Sequence, residues 1–96
     1  MIEIHKQVKA KKDLKGIWLY SYQQWGEKQA DCYFDEINQG IDLIASHPEI
    51  GIPCDEIKKD YRCFKIKEHE IFYKTTKTRI VIIRVLHKRM NPFNQL

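Results

Sequence analysis

Apolar and polar residues alternate most densely between Tyr61 and Lys88, where the chain falls into three short β-branched and aromatic runs, CFKI, EIFYK and RIVIIRVL. Polar breaks at Lys67-Glu68-His69 and at Thr75-Thr76-Lys77-Thr78 separate them, so the stretch predicts an antiparallel meander of three strands. In the last run, alternation puts Ile80, Ile82, Arg84 and Leu86 on one face and Val81, Ile83, Val85 and His87 on the other. Both faces are apolar. This strand is therefore central and covered on at least one side, with helices as the cover.

Earlier in the chain, Ile2 and Ile4 alternate with Glu3 and His5, which predicts a short strand added to an edge of that sheet. From about Val8 the period changes. Leu14, Ile17, Trp18, Ser21 and Trp25 form a helical stripe, and the two tryptophans on it are assigned to the helix–sheet core. Gly26 ends this helix, since glycine best tolerates a left-handed terminus. A second stripe runs through Ala30, Tyr33, Phe34, Ile37, Ile41 and Ile44, with Glu27 and Asp31 at the end where carboxylates oppose the helix dipole. Pro48 stops it, and the segment HPEIGIPCDEIKKD reads as a loop. After His87, KRMNPFNQL has a Pro92 break and no periodicity, and reads as a short arm over about 88–96 that a partner orders. The expectation is one α+β domain spanning 1–96: an N-terminal strand, then a two-helix antiparallel hairpin packed on a small antiparallel sheet.

Composition narrows the partners more than the fold. A net charge of +4 and a pI near 9.0 suit an acidic partner, nucleic acid or protein. The lysines at 6, 9, 11, 12 and 15 lack interleaved aromatics and read as the solvated face of the first helix, so no direct sequence-specific nucleic-acid binding is expected. Cys32, Cys54 and Cys63 are odd in number and make no CxxC or Cys/His pattern, which disfavours a disulfide framework or a zinc site and fits a reducing cytoplasm. No cofactor or metal is expected. The N-terminus has no signal-peptide pattern and no run is long enough to span a membrane, so no membrane partner is expected either.

Several pieces in order carry a family resemblance: Trp25-Gly26 before a helix, P-x-x-G at Pro48 to Gly51, Asp-Glu-Ile then Tyr-Arg at 55 to 62, His-x-Ile-Phe-Tyr at His69 to Tyr73, and Arg-Val-Leu-His at Arg84 to His87. Together they closely resemble the ParE toxins of the bacterial RelE/ParE superfamily, over nearly the whole chain. The resemblance implies the toxin of a type II toxin–antitoxin pair, neutralised by a cognate antitoxin and, in the ParE branch, directed against DNA gyrase by protein–protein contact. The alternative branch, similar to RelE and YoeB, cuts messenger RNA on the ribosome. A toxin that keeps antitoxin binding but has lost activity is a third reading.

Cleavage of RNA needs groups that move a proton and cations that hold a phosphate. Lys65, Arg84 and His87 are the residues that could serve, and His87 stands about where the YoeB-like branch keeps a histidine. Lys88 follows it where that branch has a tyrosine, and Leu86 precedes it. The set looks incomplete, so no catalytic centre is assigned. Arg62, Arg84, His87, Lys88, Arg89 and Met90 are the candidate target-binding residues, with the basic end of the last strand and its tail favoured. Some of these, and His69 at the first hairpin, also have a structural reading: Arg84 pairs with an acid or lies at the sheet surface, Arg62 lies over the sheet, and His87 and His69 make local hydrogen bonds. Cys54 and Cys63 are not expected to be nucleophiles.

Overall fold

The computed structural model describes residues 3–96. The elements are β1 (Glu3–Lys6), α1 (Val8–Trp25), α2 (Glu27–Ser46), β2 (Ile52–Pro53), β3 (Arg62–Ile66), β4 (His69–Thr75), β5 (Arg79–His87) and α3 (Pro92–Gln95). Ile2, assigned to the first strand by alternation, lies outside the described residues. The helices fall where the stripes put them. Gly26 joins them at φ 92°, and its N–H caps α1 on the Tyr22 carbonyl at 2.9 Å.

The sheet runs β1-β5-β4-β3-β2. The meander β3-β4-β5 is antiparallel, as its turns dictate, and β2 adds antiparallel to β3 inside the stretch read as loop. β1 takes the edge beside β5 but runs parallel to it, with Ile4 opposite Ile80, so the sheet is mixed rather than antiparallel. Hydrophobic alternation carries no strand direction. No hairpin joins these two strands to impose the antiparallel sense.

One face of the sheet packs on the helices through Ala10, Leu14, Ile37, Ile41, Ile44, Ile71, Tyr73, Ile80, Ile82 and Val85. The other face is covered without a long helix: Phe72, Val81, Ile83 and Leu86 lie under Cys54, Ile57, Tyr61 and the C-terminal Leu96. The tail is therefore not a free arm. Asn91 caps α3 by accepting Phe93 N–H, and Leu96 docks on the sheet.

Two packing expectations are corrected. Trp25 is 64% exposed and meets Tyr20 edge-on at 6.1 Å, while Trp18 is only half-buried, stacks on Tyr22 and donates its indole N–H to Asp31 at 2.8 Å. The buried residues of α1 are Ala10, Leu14 and Ser21, two of them small, which seats the helix close to the sheet and leaves no depth for indoles. The faces of β5 also switch. Tyr73 pairs with Ile82 and Phe72 with Arg84, so Ile83 is an extra residue in a β-bulge, after which Val85 joins the face of Ile80 and Ile82 and Leu86 joins that of Val81.

Candidate functional site

The bulge decides where Arg84 goes. Its guanidinium donates through Nε to Asp13 Oδ2 at 2.7 Å and through Nη2 to Asp13 Oδ1 at 2.9 Å, while Nη1 reaches the Gln95 carbonyl at 3.0 Å. Val85 N–H also donates to Asp13 Oδ2, at 3.0 Å. One carboxylate on α1 thus pins the bulge of β5, and Arg84 pins the tail. The hydrogen bonds to Asp13 raise the Arg84 pKa further and keep it charged.

The strand ends beyond the bulge form a second constellation. His69 opens β4 and His87 closes β5, and the two are register partners, so their rings meet edge to face with centroids 5.2 Å apart. The turn before His69 holds Lys67 at φ 50°, a left-handed conformation that costs a non-glycine residue energy. It is strapped on both sides. Lys67 bridges to Glu36 on α2 at 2.9 Å, Glu68 N–H donates to the Tyr33 hydroxyl at 3.3 Å, and Lys88 bridges to Glu68 at 2.7 Å. The Tyr33 hydroxyl lies 2.6 Å from His69 Nδ1. Burial, and then the neighbouring His87, push the His69 pKa down to about 4, so the ring is neutral at pH 7.

Tyr33, Lys67, Glu68, His69 and His87 line an open groove of about 1110 Å³. Gly16, Ile17, Tyr20, Ser21 and Trp25 of α1 make one wall, Gln29 and Tyr33 of α2 another, and Lys67, Glu68, His69, His87 and Arg89 close the sheet end. On its groove wall α1 exposes Tyr20 and Trp25, which meet edge-on, and elsewhere on the helix Leu19 and Tyr22 are also exposed.

The candidate residues are scattered over this framework. Lys65 is exposed in a shallow depression of about 200 Å³ with Cys54, Cys63, Glu70 and Phe72, whose core contacts are those of the face away from the helices. His87 instead lines the groove beside the helices, and Arg84 is taken by Asp13. Lys65, Arg84 and His87 thus share no cavity. Arg62 donates to the Glu49 and Gly51 carbonyls at 3.2 and 2.7 Å and holds the loop after α2. Lys88, Arg89 and Met90 form the turn leaving β5. Arg89 N–H donates to His87 Nδ1 at 3.1 Å, Met90 N–H donates to the His87 carbonyl, and the Arg89 side chain has no ion-pair partner among the described residues.

Sequence reading missed Asp13 and gave Tyr33 only to the core. An acid three residues from Ala10 and next to Leu14 on a buried stripe, in a chain with an arginine in an apolar strand, was the available signal for the first. The second had none, because nothing local says that Tyr33 meets a turn 35 residues away. Among the described residues, no three His, Cys, Asp or Glu side chains gather as a metal site, and no helix is long and apolar enough to cross a membrane.

A strand, a helical hairpin and a meander, with an open groove between the helices and the sheet end, make a small α+β fold. A chain of the chromosomal ParDE toxin–antitoxin system from P. aeruginosa superposes with a TM-score of 0.80 over 91% of this chain and 96% of that one, at 16% identity, so the two share the fold. The family model described as ParE toxin of type II toxin–antitoxin system, parDE, matches residues 4–92. Toxin ParE1 of Caulobacter vibrioides is 43% identical over 83 residues, covering 86% of this chain and 85% of that protein. Toxin ParE1 of Mycobacterium tuberculosis is 41% identical over 83 residues, covering 85% of each. The chain belongs to the ParE toxin family of type II toxin–antitoxin systems.

Proposed function

We propose that this ParE toxin arrests growth in the cytoplasm by binding DNA gyrase through protein–protein contact, without a catalytic centre of its own, and that a cognate antitoxin neutralises it by occupying the groove between α1, α2 and the ends of β4 and β5. The observation that carries the non-catalytic reading is the fate of Arg84. A phosphate-holding cation must be free to meet its substrate, and this guanidinium is bound by Asp13 on two nitrogens and by the tail on the third. Lys65, the other cation, lies away from His87.

The groove suits an antitoxin segment. Its aromatic wall offers apolar area to an amphipathic helix, and the +4 charge of the chain favours an acidic partner. The gyrase-contacting surface we propose is the turn Lys88, Arg89 and Met90, of which Arg89 lines the same groove. An antitoxin seated there would cover Arg89, so neutralisation follows from occlusion.

Two reactions with purified toxin test the reading. Lost supercoiling with accumulation of cleaved DNA, and intact message in a translating extract, are expected. Cuts in the message with gyrase unaffected would instead favour the endoribonuclease alternative and make His87 the first residue to mutate.

A further inference from the structure

The hydrogen bonds around the paired histidines bear on where their protons are. Tyr33 Oη accepts Glu68 N–H and lies 2.6 Å from His69 Nδ1; in the tautomer in which the phenol donates to that nitrogen, the His69 ring proton sits on Nε2. His87 Nδ1 accepts Arg89 N–H, so its proton also sits on Nε2. Neither Nε2 has a protein partner among the described residues, and both rings line the groove. With the ring centroids 5.2 Å apart, two Nε2–H donors stand close enough together to be shared by one carboxylate, beside the unpaired guanidinium of Arg89.

A second, independent feature faces the same space. Gly16 sits mid-way along α1, where glycine is the least favourable residue short of proline, and a Cβ there would meet no atom within 4 Å. Nothing inside the molecule requires it. Its place on the groove wall leaves room for another backbone to approach the helix directly.

We propose that the Nε2–H groups of His69 and His87 seat one carboxylate side chain of the antitoxin, from a segment whose backbone lies against α1 at Gly16. This rests on the antitoxin reading above and adds the anchoring group. A carboxylate fits better than a nucleic-acid backbone. Nucleic acid needs several free cations, whereas Lys67 and Lys88 are already bridged to Glu36 and Glu68, and the Glu68 carboxylate at the rim repels a polyanion.

The test measures affinity between the purified toxin and the antitoxin encoded beside it, with melting curves of each free variant. H87L should weaken the complex by about ten- to a hundred-fold, as expected for a lost hydrogen bond to a charged group. H87Q, whose amide keeps a donor near Nε2, should retain most of the affinity. G16A should raise the melting temperature of the free toxin while weakening the complex, opposite signs that a purely structural glycine cannot give. Neutralising each Asp and Glu of the antitoxin in turn leaves the toxin untouched, so a folding defect in a histidine variant cannot mask the result. One of these changes should weaken binding to wild-type toxin and cost nothing further against H87L. The proposal is overturned if no carboxylate couples to His87, if G16A strengthens the complex, or if single-stranded oligonucleotide competes with antitoxin in a His87-dependent way. Absence of any antitoxin binding by wild-type toxin would sink the antitoxin reading itself, a separate result.

Discussion

Replacing Asp13 with alanine removes the one group that holds α1, the β5 bulge and, through Arg84, the C-terminal tail. Asp13 and Arg84 side chains are 15% and 13% exposed, so the pair is largely out of water. Breaking such a pair from one side costs about 3–5 kcal/mol, because the remaining charge is left buried alone. The orphaned Val85 N–H adds about 1–3 kcal/mol if water cannot reach it. Partial access to the guanidinium trims the sum, giving about 4 kcal/mol, a large fraction of the 5–15 kcal/mol by which domains are typically stable. The double variant D13L/R84M removes both charges at similar volume. It should recover most of the loss, leaving the unpaired Val85 N–H and the Gln95 carbonyl that Arg84 no longer reaches. Urea denaturation of the wild type, both single variants and the double variant gives the coupling directly. A D13A cost below about 1 kcal/mol, or a double variant no more stable than D13A, would falsify the claim that this pair organises the bulge.

Other expectations follow from single groups. The Tyr73 hydroxyl donates to the Pro48 carbonyl at 2.7 Å and accepts Gly51 N–H at 2.8 Å, so Y73F should destabilise by about 2 kcal/mol in the same assay. G51A should do comparable damage, since its Cβ would lie 2.5 Å from that hydroxyl. His69 titrates near 4 when folded against 6.5 in the free side chain, so between these values the unfolded chain binds the extra proton. Its contribution to stability is constant above about 6.5 and falls on acidification toward 4, and H69Q should flatten that part of the pH–stability curve. Burial, with Glu70 beside it, pushes the Cys63 thiol up to about 12, and burial raises Cys54 too. Iodoacetamide at pH 8 should therefore modify the exposed Cys32 and spare both in native protein, as peptide mass mapping would register. Alanine at both Lys88 and Arg89 should weaken growth arrest without lowering the melting temperature by more than a few degrees, Lys88 having only an exposed bridge to lose. Undiminished arrest would remove that turn from the target surface.

Much of the fold was legible because it is written locally. The stripes from Leu14 and from Ala30, the stop at Pro48 and the three β-rich runs each need only neighbouring residues to be read. What alternation could not supply was long-range. Just past the bulge at Ile83, Val85 N–H donates to Asp13, 72 residues away, an acceptor outside the ladder. The parallel sense of β1 and the docking of Leu96 likewise depend on partners distant in sequence. The tryptophans misled because an amphipathic stripe shows which side of a helix is apolar, not whether that side faces a core or a groove. At the site, His69 and His87 were each noted singly. Their pairing follows from strand register, which no single run encodes.

Contact and catalysis differ most sharply in stoichiometry. Purified toxin titrated into a supercoiling reaction at gyrase concentrations well above their mutual dissociation constant should inhibit in proportion to the toxin-to-gyrase ratio, with complete loss near equivalence and recovery on adding antitoxin. Full supercoiling at excess toxin, with message in a translating extract degraded by toxin far below the ribosome concentration, would contradict a contact-acting gyrase inhibitor.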